Sequence, residues 1–206
     1  MRPSSHSPRL PMPSYPTPGA LPAMSGAPLS LPKLFSALRG GSVAPLVNAI
    51  WVPATSALLI VVAGMIGFWL KQPWLFAALG PSVVMMASTP GHETTSFRAV
   101  VVGHISAMAC AYLALLLLNA ADAATIAKVA TEVSPRIWAS ALALALLAIV
   151  QPQLRAYHPP AAATALLITL GAYRMTGRTP LAMIGGVVLI AVAAELLNRV
   201  RPRRGR

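Results

Sequence analysis

The sequence predicts an all-α membrane protein, a polytopic bundle of about six apolar segments of which two are short or broken. Three observations support this fold class. Residues 99–119 form an uncharged run of 21 residues, long enough to cross the ~30 Å hydrocarbon core of a bilayer. The chain of 206 residues is 56% hydrophobic and only 10% charged, and its mean hydropathy is +0.69. Soluble domains rarely have this composition.

The first 45 residues predict a separate region, a disordered, basic, proline-rich N-terminal tail. They contain ten of the twenty prolines, and proline at that density disfavours regular helix. They lack the apolar core of a signal peptide, so no cleavage is expected. Within this tail, residues 31–38 are a candidate short interfacial helix. Residues 46–198 then form the transmembrane domain, and 199–206 form a basic C-terminal tail.

Six apolar segments follow the tail. They comprise residues 53–70, 73–89, 99–119, 137–150, 159–173 and 180–197. The first begins at Pro53, a residue that fits the first turn of a helix. The second is interrupted by Gly80-Pro81, and the fourth, at 14 residues, reaches only about 21 Å as a helix. The four tryptophans fall near segment ends, where aromatic rings anchor at the membrane surface. They are Trp51, Trp69, Trp74 and Trp138.

The distribution of Lys and Arg predicts the orientation. With six crossings, eleven basic residues lie inside and five outside (Lys71, Lys128, Arg136, Arg174 and Arg178). This follows the positive-inside rule and places both termini in the cytoplasm, with the protein in a bacterial inner membrane. Four crossings would also keep both ends inside if the second and fifth segments were re-entrant. The net charge of +12 is therefore assigned to membrane topology, and no nucleic-acid partner is expected.

Segments one to three and four to six share a plan, namely a helix, a short segment opened or broken by proline, and a longer helix. Three crossings per half would give a 3+3 inverted repeat, the arrangement of many secondary transporters. Small residues recur in the third member of each half, as Gly103 and as Gly185-Gly186. Two chance runs of Pro, Gly and Ala are the alternative explanation.

Two motifs predict a substrate site. A helix that begins at Pro159 or Pro160 presents free backbone N–H groups beside His158, and Gly80-Pro81-Ser82 marks a second such helix start. Two helix starts that face each other within the membrane would form an anion site from backbone donors. The simpler alternative is that these residues only kink helices or open loops. The candidate substrate-binding residues are Gly80, Pro81, Ser82, His104, His158, Pro159 and Pro160.

His104 is included because an ionisable side chain inside an apolar segment is costly unless it faces a cavity or a partner. Either a proton carrier or a neutral histidine that is hydrogen-bonded to a neighbouring helix explains it. Glu195 and Arg199 are spaced for a structural helix pair. Arg98 and Arg155 either attract anions or only determine topology.

The sequence from His158 to Ala165, HPPAAATA, resembles the HPP family of integral membrane proteins. Ala78 to Ser82 (ALGPS) and the residues from Arg98 to His104 support the resemblance, which covers about residues 45 to 198. It implies a small multi-helix membrane protein, usually described with four transmembrane segments. Some plant relatives are implicated in nitrite movement across the chloroplast envelope. The resemblance thus implies small-anion transport.

We therefore expect a transporter or channel for a small, nitrite-like anion, in contact with the lipid bilayer. Whether one chain or a homo-oligomer forms the pathway stays open. The alternative is a non-transporting scaffold or assembly protein whose tail binds a cytoplasmic partner, and a membrane enzyme comes third. No catalytic residues, metal or cofactor are expected, because no acidic pair or Cys/His cluster is spaced for such chemistry. The single cysteine, Cys110, is assigned to packing.

Overall fold

The structure, a computed structural model, describes residues 43–125, 135–173 and 178–200. In this part of the chain the backbone forms six helices and no strand. The helices are α1 (Val43–Trp69), α2 (Leu79–Ser88), α3 (Phe97–Leu117), α4 (Pro135–Gln153), α5 (Ala161–Thr169) and α6 (Arg178–Val200), with a 3₁₀ turn at Glu93–Thr95 before α3. The predicted all-α bundle with two short segments, the second and the fifth, is confirmed. The fourth segment was predicted too short, because α4 has 19 residues rather than 14.

Several helix boundaries differ from the predicted ones. Helix α1 begins at Val43, so Pro53 lies inside the helix rather than in its first turn, and that prediction was wrong. Membrane helices tolerate internal proline because neighbouring groups compensate for the lost hydrogen bond. Helix α3 begins at Phe97 because the Ser96 side chain accepts a hydrogen bond from the Ala99 amide, at 3.2 Å, as an N-cap.

The predicted tails lie mostly outside the described residues. The proline-rich segment 1–42, the candidate helix at 31–38 and residues 201–206 all belong to that part of the chain. At the boundaries, residues 43–45 belong to α1, and Arg199 and Val200 belong to α6.

Four helices are long and apolar enough to cross a membrane. They are residues Ala49–Trp69 of α1, and helices α3, α4 and α6. Helices α2 and α5 have 10 and 9 residues, which at 1.5 Å per residue is about half of the hydrocarbon thickness. Six crossings were predicted, but among the described residues only four helices are long enough to cross the membrane by themselves.

The described ends of α3, α4, α5 and α6 nevertheless lie at two opposite faces of the bundle. An open cavity of ≈ 1450 Å³ is lined by the α2–α3 connection, the α4–α5 connection and the end of α6. On the opposite face, the Arg136 side chain bonds to the carbonyls of Ala121 and Ala123, beyond α3, and of Thr169 at the end of α5. Short as it is, α5 therefore carries the chain from the cavity face towards the opposite face.

Arg136, which the charge count placed outside, lies on the face opposite the cavity and is buried there. Its side chain is only 5% exposed. The guanidinium donates from Nε to Ala123 O at 2.9 Å, from Nη1 to Thr169 O at 3.0 Å and from Nη2 to Ala121 O at 2.7 Å. These carbonyls follow or end helices and have no intrahelical donor, so a fixed cation with a planar fork of donors stabilises them.

Helix α3 lies at the centre of the bundle, where it packs against α4, α5 and α6. Its buried side includes Ala107, Ala111 and Ala114, each with no exposed area, and such small residues let helix backbones approach closely. Helix α1 is peripheral and leaves large apolar side chains such as Val61 and Phe68 exposed. In a membrane these side chains face lipid.

Trp74 does not anchor at the surface as predicted, because it packs against α6. A Cβ atom added at Gly185 would lie 3.1 Å from the Trp74 ring, and one added at Gly186 would meet the Trp74 carbonyl. The segment before α2 therefore packs directly on these two glycines, because they have no side chain. Trp69 and Trp138, by contrast, are 71% and 64% exposed, as the anchoring prediction requires.

Candidate functional site

The two short helices meet at His104. Ser82 is the fourth residue of α2 and Thr164 is the fourth residue of α5. Ser82 Oγ lies 3.0 Å from His104 Nε2, and Thr164 Oγ1 lies 2.7 Å from His104 Nδ1. Both ring nitrogens of this α3 histidine are thus hydrogen-bonded, each to a hydroxyl group of a different short helix.

His158 completes this group of side chains. Its Nε2 lies 3.0 Å from the same Ser82 Oγ, and its ring centroid is 5.2 Å from that of His104. We call Ser82, His104, His158 and Thr164 the polar cluster, and each of the four has an exposed fraction of 0%. His104 lies seven residues after Phe97, so the cluster is about 10 Å along α3 from its start.

The local sequence fixes His158 against α3. A Cβ atom at Gly103 would lie 2.7 Å from the His158 Cβ, so only glycine lets the α4–α5 connection approach this closely. Gln151, near the end of α4, links α3 to the α4–α5 connection. Its Nε2 donates to Gly103 O and its Oε1 accepts from the His158 amide, both at 3.3 Å. On the other side, the Phe76 ring meets His104 edge-on at 6.2 Å between centroids.

Two backbone carbonyls contact the outer edges of the cluster. His158 Nδ1 lies 2.8 Å from the carbonyl oxygen of Thr94, in the 3₁₀ turn, and Ser82 Oγ lies 3.1 Å from the carbonyl of Ala78. Thr94 also lines the open cavity. The cluster is therefore buried, and Thr94 contacts both the cluster and the cavity.

The structure brings together three of the seven predicted site residues, namely Ser82, His104 and His158. Pro160 is buried as the N-cap residue of α5. Pro81 and Pro159 are exposed, and a Cβ atom at Gly80 would meet nothing within 4 Å. These three residues lie at the helix starts and take no part in the hydrogen bonds described for the cluster.

The expectation of free amide groups at the two helix starts was wrong. The amides of Ala161, Ala162 and Ala163 donate to the carbonyls three residues earlier, at 2.9 to 3.1 Å. At α2, the amides of Leu79 and Gly80 do the same, at 3.0 and 3.2 Å. A tight turn precedes each short helix and occupies these amide donors. The hydrogen-bond donors of the cluster are therefore on side chains.

Four residues of the site were missed by the sequence interpretation. Thr164 follows His158 by six positions and is the only hydroxyl residue in the run from 159 to 166. Gln151 comes directly after an apolar segment, so it was assigned to the connection. Gly103 was noted only as a repeated small residue. Thr94 contributes its carbonyl, which no residue type can signal.

The open cavity carries more basic than acidic groups. Arg98, Arg155 and Arg199 line it together with Glu93 and Glu195. Glu195 and Arg199 form an exposed ion pair at 3.4 Å, which confirms their predicted pairing. Arg98 donates from Nη2 to Leu154 O at 3.1 Å and so ties the start of α3 to the α4–α5 connection. Arg98 and Arg155 line one cavity, as their assignment to one face predicted.

Among the described residues, no group of three or more His, Cys, Asp or Glu side chains is placed to hold a metal ion. Cys110 is buried in the core, in agreement with a packing role. The chemistry that the cluster offers is therefore hydrogen bonding and proton exchange by two imidazole rings and two hydroxyl groups.

Four helices of spanning length among the described residues, in a bundle that buries a polar cluster, define an integral membrane protein of the polytopic helical class. The family model for the HPP transmembrane region matches residues 42–206, and the chain belongs to this family. Neither a curated protein nor a solved structure matches the chain.

Proposed function

We propose that the protein lets a small monovalent anion, with nitrite as the leading candidate, cross a bacterial inner membrane through the polar cluster. The observation that carries this proposal is the complete burial of two histidines, a serine and a threonine inside an apolar bundle. Ionisable residues at such a depth are costly, and their usual explanation is a pathway for ions or protons.

The donors for the anion are side chains rather than the amide groups first expected. The Nε2 atoms of His104 and His158 both lie 3.0 Å from Ser82 Oγ, so both rings converge on one point. An anion that displaces the hydroxyl group from this point would meet two imidazole edges and the hydroxyl of Ser82. The donors at this point are His104 Nε2–H, the Ser82 hydroxyl group and, when His158 is protonated, its Nε2–H. So few donors bind an anion weakly, and weak binding suits conduction because the ion must leave again.

The charges of the open cavity favour the entry of anions. Three arginines against two glutamates line it, and a cleft with an excess of one sign raises the local concentration of the opposite ion. By the positive-inside rule this cavity faces the cytoplasm, and both termini lie on that side. Thr94 lines the cavity and contacts His158, so an anion in the cavity would be close to the cluster.

Purified protein in liposomes tests the proposal directly. Nitrite efflux is followed with a nitrite-selective electrode, with a K⁺ diffusion potential across the membrane. We expect efflux above that of empty liposomes, and loss of most of it in His158→Gln. The control is Ser88→Ala, at an exposed serine of α2 outside the cluster and the cavity lining, which should change the rate by less than about twofold.

The alternative, a membrane scaffold, predicts a different result. Liposomes with the full-length protein would then release nitrite no faster than empty ones, and His158→Gln would change nothing. Removal of residues 1–40 would instead be the harmful change in the cell. That combination of outcomes would contradict the transport proposal.

A further inference from the structure

The partners of His158 fix where its protons lie. The carbonyl oxygen of Thr94 can only accept a hydrogen bond, so His158 Nδ1, at 2.8 Å, must carry a proton. A neutral His158 then has an unprotonated Nε2, which must accept from the hydroxyl of Ser82 at 3.0 Å. The tautomer follows from the partner and needs no other assumption.

Ser82 has one hydroxyl proton but two acceptors for it. Besides His158 Nε2, the carbonyl of Ala78 lies 3.1 Å from Oγ and can also only accept. If His158 is neutral, the Ser82 proton goes to Nε2 and the Ala78 contact has no proton. His104 then donates from Nε2 to Ser82 Oγ and accepts at Nδ1 from the Thr164 hydroxyl, at 2.7 Å.

One additional proton satisfies every contact at once. With both nitrogens protonated, His158 donates to Thr94 O and to Ser82 Oγ, and the Ser82 hydroxyl turns to donate to Ala78 O. Ser82 Oγ then accepts from both histidines, and the bonds of His104 are unchanged. The two states therefore differ by one proton on His158 Nε2 and the rotation of one hydroxyl group.

We propose that the polar cluster is a binding site for one exchangeable proton, held on His158, and that the transported anion crosses together with this proton. The second half rests on the proposed function, whereas the first half stands on the hydrogen bonds alone. The proton comes from water in the open cavity and returns to water, so no further reactant is needed. Thr94, whose carbonyl contacts the ring, lines that cavity.

Burial explains why the proton and the anion would move together. An imidazolium ion with no exposed area is costly in an apolar bundle, and so is an isolated anion. A pair of opposite charges in contact carries no net charge, so each ion lowers the cost of the other. A bound anion would thus raise the affinity of the cluster for the proton, and a bound proton would raise its affinity for the anion.

Other titratable and charged groups surround this site, and a titration must be separated from theirs. His104 on α3 is the one in the cluster itself. The others on the elements packed around His158, all of which line the cavity, are His92, Glu93, Arg98, Arg155, Tyr157, Glu195 and Arg199. The residue-specific signals of the histidine rings distinguish His158 from all of them.

The test is ¹⁵N NMR of the full-length protein with ¹⁵N-labelled histidine in lipid nanodiscs, titrated from pH 4 to pH 9. The chain has four histidines, and each signal is assigned by substitution. We expect His104 in the Nε2–H tautomer throughout, and His158 in the Nδ1–H tautomer at high pH with conversion to the doubly protonated ring as the pH falls. A His158 ring in the Nε2–H tautomer, or one that stays singly protonated down to pH 4, would overturn the proton site.

The link through Ser82 gives a second readout. Protonation of His158 should shift the His104 signal with the same midpoint, because both rings bond to one oxygen atom. Ser82→Ala should abolish this shared midpoint, and Ser88→Ala, at an exposed serine on the same helix, should leave it in place. A shared midpoint that survives in Ser82→Ala contradicts the bridging role.

Flux measurements separate the two halves of the proposal. In liposomes with an acidic outer solution and no membrane potential, we expect nitrite to accumulate inside at least fivefold faster than in empty liposomes, where only nitrous acid diffuses through the lipid, and this excess to vanish when an uncoupler removes the pH gradient. Nitrite flux that ignores the gradient would overturn the shared passage but not the proton site. A titrating His158 with no nitrite flux at all would instead refute the proposed function and leave the proton site intact.

Discussion

Helices α2 and α5 are built alike, although they lie in different halves of the chain. They have 10 and 9 residues, and each directs the hydroxyl of its fourth residue, Ser82 or Thr164, to His104. The segment before each packs on glycine of a long helix in the other half, since Trp74 lies on α6 and His158 lies on α3. This reciprocal packing is what an internal repeat predicts.

The two short helices also run in opposite directions, as in an inverted repeat. The end of α2 is held near the cavity face, where Asn198 of α6 donates to Met86 O at 3.2 Å. The end of α5 is held at the opposite face, where Arg136 of α4 donates to Thr169 O at 3.0 Å. In each short helix, therefore, one of the last carbonyls accepts a hydrogen bond from a side chain of a long helix.

The difference between the halves lies in two positions. The residue seated on glycine is Trp74 in the first half and His158 in the second. The residue that follows the contacted glycine is His104 after Gly103 and Val187 after Gly186. The contact of the segment before α2 with α6 is consequently apolar and contains the indole ring. The contact of the segment before α5 with α3 contains both imidazole rings. A repeated scaffold thus supports a single polar site.

The largest effect is expected at the ends of the short helices. Arg136→Gln removes donors from three buried or part-buried carbonyls and should cost about 3 kcal/mol. Asn198→Ala removes the single bond to Met86 and should cost about 1 kcal/mol. Thermal denaturation in detergent measures both, and equal shifts would show that the two helix ends are held with equal strength.

The next largest loss of stability is expected at the glycines on which Trp74 and His158 pack. Gly186→Ala places a methyl group against the Trp74 carbonyl, and Gly103→Ala places one 2.7 Å from the His158 Cβ. Each should cost about 1–3 kcal/mol, the usual range for overpacking. Gly80→Ala is the matched control, because its methyl group meets nothing within 4 Å. A control as unstable as the other two variants would contradict the reciprocal packing.

The hydroxyl groups should differ by a smaller amount. Ser82→Ala leaves both Nε2 atoms without their shared partner, whereas Thr164→Val leaves only His104 Nδ1 unpaired. We expect losses of about 2 and about 1 kcal/mol in the free energy of unfolding, because the cost grows with the number of unsatisfied buried groups. Equal losses in chemical denaturation would mean that His158 is not held by Ser82.

The fold could be predicted from the sequence because apolar length and proline position reflect strong constraints of the bilayer. Six segments, two of them short, and the meeting of Ser82, His104 and His158 in one site all follow from that pattern. The start of α1 could not be predicted, because Pro53 is compatible with both a first turn and a helix interior. The buried state of Arg136 depends on carbonyl groups far away in sequence, and no local pattern reveals it.

The chemistry of the site was harder to predict than its place. Helix starts at Gly80-Pro81 and Pro159-Pro160 were expected to expose amide groups, but the tight turns before α2 and α5 occupy them. Whether a helix start is capped by its own preceding turn depends on backbone conformation, which residue types do not specify. The role of Thr94 depends on a carbonyl group and was invisible for the same reason.

The most direct test of the central claim, that an anion passes through the polar cluster, is a comparison of two serine variants of α2. Ser82 Oγ lies between both histidines, whereas Ser88 is exposed six residues further along the helix and bonds only to Met85 O in the described contacts. Nitrite efflux is measured for both variants at equal amounts of reconstituted protein. We predict a loss of at least tenfold for Ser82→Ala and a rate within twofold of the parent for Ser88→Ala. Equal rates for the two variants would contradict passage through the cluster.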